Sequence, residues 1–299
     1  MIPVLDWSRF ASDPSGFATE LGAAARRPGF FLLANHDVSR RVIEETFEAA
    51  GALFALPQTE KDAVSIRRSP HNRGYVGDGV EALDRASGVK DRKEAFNIGL
   101  DLAADDPRVV ANEPFRGVNL WPALPGFHET TLRYFDACLA QGLALMRAVA
   151  LDLGLPEDRF GRDFRAPMAT LRLLSYPADP HAQIGAGAHT DYGALTLLTT
   201  DGTPGLQVRP RDGDWIDVPH VPGAFVVNIG DCLQRWTNDL YASTPHRVLP
   251  PARPRRSIAF FLDPDPDAVV EALPGTGAPR HAPITGAEHL SERLSATYG

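Results

Sequence analysis

The stretch Gly187-Ala188-His189-Thr190-Asp191-Tyr192-Gly193-Ala194-Leu195-Thr196-Leu197-Leu198 decides how the chain is read. His189 and Asp191 are two residues apart. On a β-strand, residues i and i+2 project to the same face. The imidazole and the carboxylate then point together, and Thr190 turns away. Two ligand types on one rigid face begin a divalent metal site, and a third ligand has to come from elsewhere. A His-x-Asp triplet by itself equally describes a surface or capping pair, so the rest of the chain has to decide.

The chain has 299 residues, enough for one large domain or two small ones with ample core. Hydrophobic content of 43% and charged content of 23% place it among globular proteins. The net charge of −8, with no basic block, argues against a nucleic-acid partner. The opening residues Met1-Ile2-Pro3-Val4-Leu5-Asp6-Trp7 lack the charged and apolar regions of a signal peptide. No apolar run is expected to span a bilayer. The two cysteines, Cys138 and Cys232, supply neither a disulfide framework nor a thiolate cluster, and read as small buried hydrophobes. A reducing cytoplasm is the expected compartment, and a monomer or weak oligomer the expected state.

Residues 2–6 and 29–33 read as strands, and residues 17–25 as a helix. Ser39 is placed as the N-cap of a helix that presents Val42, Phe47, Ala50 and Phe54 to the core and stops at Pro57. His36, between Asn35 and Asp37, reads as a local hydrogen-bonding residue rather than a metal ligand. Residues 73–76 and 93–99 read as strands, and residues 77–89 as a mobile loop of the kind that forms lids. Residues 127–153 carry the longest helical pattern, with Leu132, Phe135, Leu139, Leu143, Met146, Val149 and Leu153 as the core stripe and Gly154 and Pro156 as the stop.

After Pro167 the texture changes. Short β-rich runs at 169–176, 189–200, 206–209, 215–218, 224–229, 246–249 and 257–261 alternate with Gly/Pro turns. Many short, evenly spaced strands predict a barrel or double-sheet jelly roll, mainly β with flanking helices. In such a core, His246 in Ser243-Thr244-Pro245-His246-Arg247-Val248 can face His189 and Asp191 across the barrel mouth, with several strands between. Two His and one carboxylate on one side of a metal, the other side open, form the facial triad of non-haem Fe(II) chemistry. Arg255 and Ser257 are also i and i+2. A planar guanidinium fork beside a hydroxyl suits a carboxylate, whereas Arg256 is expected to face solvent.

These residues occur in an order that resembles the isopenicillin N synthase-like Fe(II)/2-oxoglutarate-dependent oxygenases, over nearly the whole chain. Gly29-Phe30-Phe31 with Asn35-His36 is similar to the family's GFF…NHGV segment, with Asp37 at the usual glycine position. Arg73-Gly74-Tyr75 and Lys93-Glu94-Ala95-Phe96-Asn97-Ile98-Gly99 also look familiar. Leu171-Arg172-Leu173-Leu174-Ser175-Tyr176-Pro177 resembles the LRLNYYP stretch, with Leu174 and Ser175 replacing its Asn and first Tyr. Val227-Asn228-Ile229-Gly230-Asp231, His246-Arg247-Val248 and Arg255-x-Ser257 follow in the family's order. The resemblance implies a double-stranded β-helix (jelly-roll) core and Fe(II) held by His189, Asp191 and His246. It implies 2-oxoglutarate as co-substrate, its far carboxylate on Arg255 and Ser257 with Tyr176 in contact, and O2 as oxidant. It also implies one oxygenase domain over 1–299. Residues 1–166 form a helix-rich part with lid-like loops, 167–263 the jelly-roll core and 264–299 the tail.

The expected activity is oxidation of a C–H bond of a small molecule, by hydroxylation, desaturation or cyclisation, with release of succinate and CO2. Two alternatives stand beside it. One is an Fe(II)/O2 oxidase of the same family that does not use 2-oxoglutarate. The other is a non-catalytic metal-binding jelly-roll module. Tyr75, Glu81, Asn97, Arg172 and Phe261 are the candidate substrate contacts, with Glu81 suited to a cationic substrate.

Overall fold

Along the strand Arg255–Leu262, successive side chains leave on opposite sides. Ile258, Phe260 and Leu262 enter the larger apolar core. Ser257, Ala259 and Phe261 line a pocket on the other face. That alternation repeats across the neighbouring strands and divides the molecule into a helix-covered layer and a sandwich interior. The computed structural model describes residues 1–299 except 85–87, 180, 212 and 299.

The chain begins with β1 (Val4–Asp6), α1 (Pro14–Arg26), β2 (Phe30–Ala34), α2 (Arg40–Phe54) and α3 (Gln58–Ala63). Next come β3 (Gly74–Val76), β4 (Glu94–Gly99), α4 (Pro107–Val110) and the long α5 (Phe127–Asp152). The β-rich part runs through β5 (Thr170–Tyr176), β6 (Ala186–His189), β7 (Leu195–Thr200), β8 (Leu206–Val208), β9 (Ile216–Asp217) and β10 (Phe225–Ile229). After α6 (Asp231–Trp236) come β11 (His246–Val248), β12 (Arg255–Leu262), β13 (Val269–Val270), β14 (Ile284–Thr285) and α7 (Gly286–Tyr298).

The major sheet has eight strands in the order β1-β2-β10-β7-β12-β5-β4-β3, and the minor sheet has four in the order β6-β11-β8-β9. The major sheet is covered on both faces, and polar side chains on its inner face are gathered at one pocket. Its outer face packs on α5, where Phe135 meets Phe260 edge to face at 5.2 Å. Such a pair adds about 0.5–1.5 kcal/mol beyond simple burial. Its inner face meets the minor sheet through Leu32, Val226, Leu206, Val208 and Val248. This two-sheet sandwich is the double-stranded β-helix expected from the resemblance.

Several local expectations change. The run 189–200 is two strands, because the backbone leaves the minor sheet after His189 and enters the major sheet at Leu195. The intervening carbonyls are taken by the free amides that open α6: Asp231 N–H donates to Asp191 O at 2.7 Å and Cys232 N–H to Tyr192 O at 3.0 Å. Helix α5 buries Phe135, Met146 and Val149 of the expected stripe together with Phe127, Tyr134, Cys138 and Leu145, while Leu132, Leu139, Leu143 and Leu153 are partly buried against the same core. The buried face is therefore wider than the sequence stripe, because α5 lies between α1 and α2 on one side and the sheet on the other. By length and composition α5 could cross a membrane, contrary to the sequence expectation, but here it is a packed core helix. In α2 the buried positions are Thr46, Ala50 and Leu53, and Ser39 sits at the N-cap without a side-chain hydrogen bond. Asn35, not Asp37, takes the left-handed conformation, at φ 52°. Asp37 instead accepts a hydrogen bond from Trp7 Nε1 at 2.7 Å. Both cysteines are free and buried, as expected.

The joint between the sheets depends on Gly230. A Cβ there would lie 2.2 Å from Gly193 O and 3.1 Å from Asp191 O. Gly230→Ala is expected to lower unfolding stability in a denaturant titration by about 1–3 kcal/mol, the usual cost of overpacking. A variant as stable as the parent would contradict this close approach.

Candidate metal and co-substrate site

The register of the two sheets brings the predicted ligands together. His246, the first residue of β11, is the direct cross-strand partner of His189, the last residue of β6. The two histidines are therefore neighbours in one sheet, not residues facing across a barrel mouth. Their ring centroids are 4.3 Å apart. Asp191 lies just past the end of β6, and its Oδ1 is 3.8 Å from His189 Nε2 and 3.6 Å from His246 Nε2. The ligand atoms of all three lie within 4.8 Å of one another.

Each ligand is oriented by its unused atom. His189 Nδ1 lies 2.7 Å from Gly187 O, and His246 Nδ1 lies 3.2 Å from Thr244 O. A carbonyl can only accept, so the proton sits on Nδ1 and the Nε2 lone pair is free. Asp191 Oδ2 accepts from Thr196 Oγ1 at 2.6 Å and from Asn228 Nδ2 at 2.8 Å, which leaves Oδ1 open. Thr196 and Asn228 are register partners on β7 and β10, which is why both reach one oxygen. Thr190 turns away as expected and donates to Asp231 Oδ2 at 3.0 Å.

The electrostatics agree with ligand chemistry. Burial, followed by the neighbouring His246, pushes the His189 imidazole down to about 3, so it is neutral at ordinary pH. Burial opposes ionisation of Asp191, but His246, His189 and the Thr196 and Asn228 hydrogen bonds outweigh it and hold the carboxyl below its ordinary value. Two neutral nitrogens and one carboxylate oxygen, converging with their other atoms occupied, fit Fe(II).

Arg255 lies beside this centre. It is 1% exposed, yet it forms no ion pair among the described residues. Its Nε donates to Thr203 O at 3.2 Å and its Nη1 to Ser257 Oγ at 3.2 Å. Its guanidinium also lies over the ring of Tyr176, 5.0 Å from the centroid. A buried guanidinium with a free fork calls for an anion. Arg255, Ser257, Tyr176 and the three metal-ligand candidates line one pocket, so the residues fit a dicarboxylate that reaches from the metal. Arg256 is exposed, as expected.

Of the substrate candidates, Asn97, Arg172 and Phe261 line the pocket. Tyr75 does not; it is 3% exposed and its hydroxyl donates to Glu94. Glu81 is 6% exposed, and its Oε2 pairs with Arg172 at 2.5 Å and with Lys93 at 3.3 Å. Its charge is thus balanced internally, which corrects the cationic-substrate expectation. Lys93 also pairs with Asp91, and Asp91 Oδ1 accepts from Gly187 N–H at 2.9 Å. The described part of loop 77–89 is therefore pinned under the site, while the 85–87 portion of the expected mobile loop lies outside the described residues. His36 packs on Phe225, with ring centroids 4.2 Å apart and tilted by 33°, away from the candidate metal ligands.

Sequence reasoning passed over four contributors: Thr196, Asp91, Lys93 and Asp263. Thr196 was legible as a polar residue on an inward position of an apolar strand. Asp263, the next inward position after Phe261, also lines the pocket; burial and the Asp191 charge push its carboxyl up to about 7.

Comparison with known proteins agrees with this geometry. A model of the non-haem dioxygenase in morphine synthesis N-terminal domain matches residues 2–124, and a model of the 2OG-Fe(II) oxygenase superfamily matches residues 167–264. The 2-oxoglutarate-Fe(II) type oxidoreductase hxnY of Emericella nidulans is 34% identical, covering 99% of this chain and 90% of that protein. The crystal structure of a full-length Neurospora crassa protein in complex with alpha-KG and thymine has a TM-score of 0.87 at 34% identity, covering 99% of this chain and 97% of that one. A putative 2OG-Fe(II) oxygenase family protein from Caulobacter crescentus superposes with a TM-score of 0.89 at 34% identity, covering 99% and 98% of the two chains. The chain belongs to the 2OG-Fe(II) oxygenase superfamily. It is a non-haem Fe(II)- and 2-oxoglutarate-dependent oxygenase that uses O2.

Two measurements check the site. Thr196→Val and Asn228→Ala should each weaken Fe(II) binding about 10–100-fold in an anaerobic metal titration, the usual cost of losing a group that orients a ligand. Unchanged affinity in both would remove their role. Glu81→Ala should destabilise the fold by about 3–5 kcal/mol, because it removes the buried carboxylate that Arg172 and Lys93 share. A loss below about 1 kcal/mol by thermal unfolding, in the range of an exposed pair, would show the network to be solvated.

Proposed function

We propose that the protein oxidises a C–H bond of a small organic molecule. In this reading His189, Asp191 and His246 hold Fe(II), and Arg255, Ser257 and Tyr176 hold the far carboxylate of 2-oxoglutarate. The observation that carries it is one pocket shared by three converging ligand atoms and a buried, anion-free arginine. When bound, iron and 2-oxoglutarate supply the oxidising power: O2 is consumed, the co-substrate leaves as succinate and CO2, and the substrate C–H bond is oxidised.

The residues do the positioning. Thr196 and Asn228 fix one oxygen of Asp191 and direct the other to the metal. The Gly187 and Thr244 carbonyls fix the tautomers of the two histidines. Arg255 and Ser257 set the direction from which the co-substrate reaches the metal. Leu174, Leu206, Val248 and Ala259 give that part of the pocket apolar walls, which exclude water from the reacting centre. The far side of the pocket, toward Asn97, Arg172 and Phe261, is left for the substrate. A relative was crystallised with alpha-KG and thymine, a small organic molecule beside the co-substrate. Hydroxylation, desaturation and cyclisation all begin with the same C–H oxidation, and the substrate decides among them.

Adding 2-oxoglutarate without O2 to the Fe(II)-loaded protein is expected to produce a metal-to-ligand charge-transfer band. Arg255→Met should raise the KM for 2-oxoglutarate at least tenfold while Fe(II) affinity holds. This corresponds to losing a hydrogen-bonded charge pair of about 1.5–3 kcal/mol. Absence of the band in the parent protein, with no succinate formed under O2, would defeat the co-substrate assignment.

A further inference from the structure

Beyond the co-substrate half, the inner face of the major sheet continues as a register row. Thr196 on β7 pairs with Phe261 on β12, Phe261 with Thr170 on β5, and Thr170 with Gly99 on β4. The row starts at Asp191, whose oxygen Thr196 holds. It ends at Gly99, where a side chain is missing and a guanidinium takes its place. A Cβ on Gly99 would lie 1.9 Å from Nη2 and 2.0 Å from Cζ of Arg73. Three inter-strand steps of about 4.8 Å separate the ends of the row, about 14 Å in all.

Arg73 is 3% exposed and lines the same pocket. No described residue accepts a hydrogen bond from it or pairs with its charge, and its Nε is a buried donor without a partner. Burial, and then the neighbouring charge of Arg116, bring its pKa down to about 10, so it remains a cation at neutral pH. Arg116 offers no relief; it is itself buried, with Nε and Nη1 unpaired. The other two cations of the pocket are already matched, Arg172 by Glu81 and Lys93 by Asp91 and Glu81. Arg255 is separate, at the co-substrate end. Phe261, Phe115 and Met168, with Leu290 and Leu294 of α7, give this part of the pocket a large apolar share, beside Thr170 and Asp263.

A buried guanidinium without an anion costs several kcal/mol and is retained where a ligand completes it. We infer that Arg73 anchors the substrate, and that the substrate is an organic acid with an apolar body. Its carboxylate sits on the Arg73 fork, and its oxidised carbon lies on the order of 10 Å away, at the Thr196 end of the row. The assignment deepens the proposed function and rests on the iron and 2-oxoglutarate reading.

The test uses the full chain loaded without O2 with Fe(II) and 2-oxoglutarate. The charge-transfer band reports the state of the centre. The probes are 3-phenylpropanoate and 5-phenylpentanoate, each beside its primary amide. At least one acid is expected to perturb the band and to raise succinate formation once O2 is admitted, with its amide at least tenfold weaker. Arg73→Gln should abolish the preference for acid over amide, and Arg73→Lys should keep part of it. The band in each variant shows that it is folded and still binds 2-oxoglutarate. The inference is overturned if acid and amide act alike, if Arg73→Gln binds the acid as the parent does, or if neither acid perturbs an intact band. Failure of the band to form in the parent protein would instead remove the iron and 2-oxoglutarate reading beneath it.

Discussion

Two hydrogen bonds to one oxygen of Asp191 hold the functional half of this molecule in place. Thr196 and Asn228 reach that oxygen because β7 and β10 are paired in a register that sets them side by side. The backbone carbonyl of the same residue is fixed by the first amide of α6. Asp191 is thus tied to the major sheet by its side chain and to α6 by its main chain, while its neighbour His189 belongs to the minor sheet. The donor set forms where the chain passes from one sheet to the other. The small residues at this crossing, Gly193 and Gly230, are there because two backbones approach too closely for a side chain.

Charge is arranged around this joint with little left over. Glu81, Lys93, Arg172 and Asp91 form a buried chain that ends on the amide of Gly187, whose carbonyl orients His189. A loop from the helix-rich half therefore supports a ligand of the β-rich half. Against this balanced background two pocket arginines are conspicuous, Arg255 at one end and Arg73 at the other, neither with an anion of its own. The pocket carries the complement of two carboxylates, one for the co-substrate and one inferred for the substrate.

Much of this was legible in the sequence. Short β-rich runs set off by Gly/Pro turns after Pro167 placed most strands of the sandwich within a residue or two, because strands buried on both faces read as compact apolar runs. The two His, the Asp and the Arg-x-Ser pair were readable as chemistry because few structural needs produce that order. What escaped depends on register or on three-dimensional neighbours. The convergence of His189 and Asp191 was expected from strand alternation, yet the strand ends between them. The core stripe of α5 caught Phe135, Met146 and Val149 but missed residues such as Tyr134 and Cys138, because the helix is covered on two sides and buries more than one stripe. Glu81 looked available on a loop until the fold supplied Arg172 and Lys93. Arg73 stood out only as part of the familiar Arg73-Gly74-Tyr75 stretch, and its isolation follows from what does not surround it.

The pairing of His189 with His246 has one more consequence. The strands of the minor sheet are only two to four residues long, so its ladder offers few main-chain hydrogen bonds. An ion held by both histidines and Asp191 would cross-link two adjacent strands and the crossing that leads to the other sheet. Because that geometry exists only in the folded chain, occupancy adds to folding free energy by mass action, RT ln(1 + [L]/Kd). Iron held there would be a structural clasp as well as a reagent, and its loss would loosen the smaller sheet along with the chemistry.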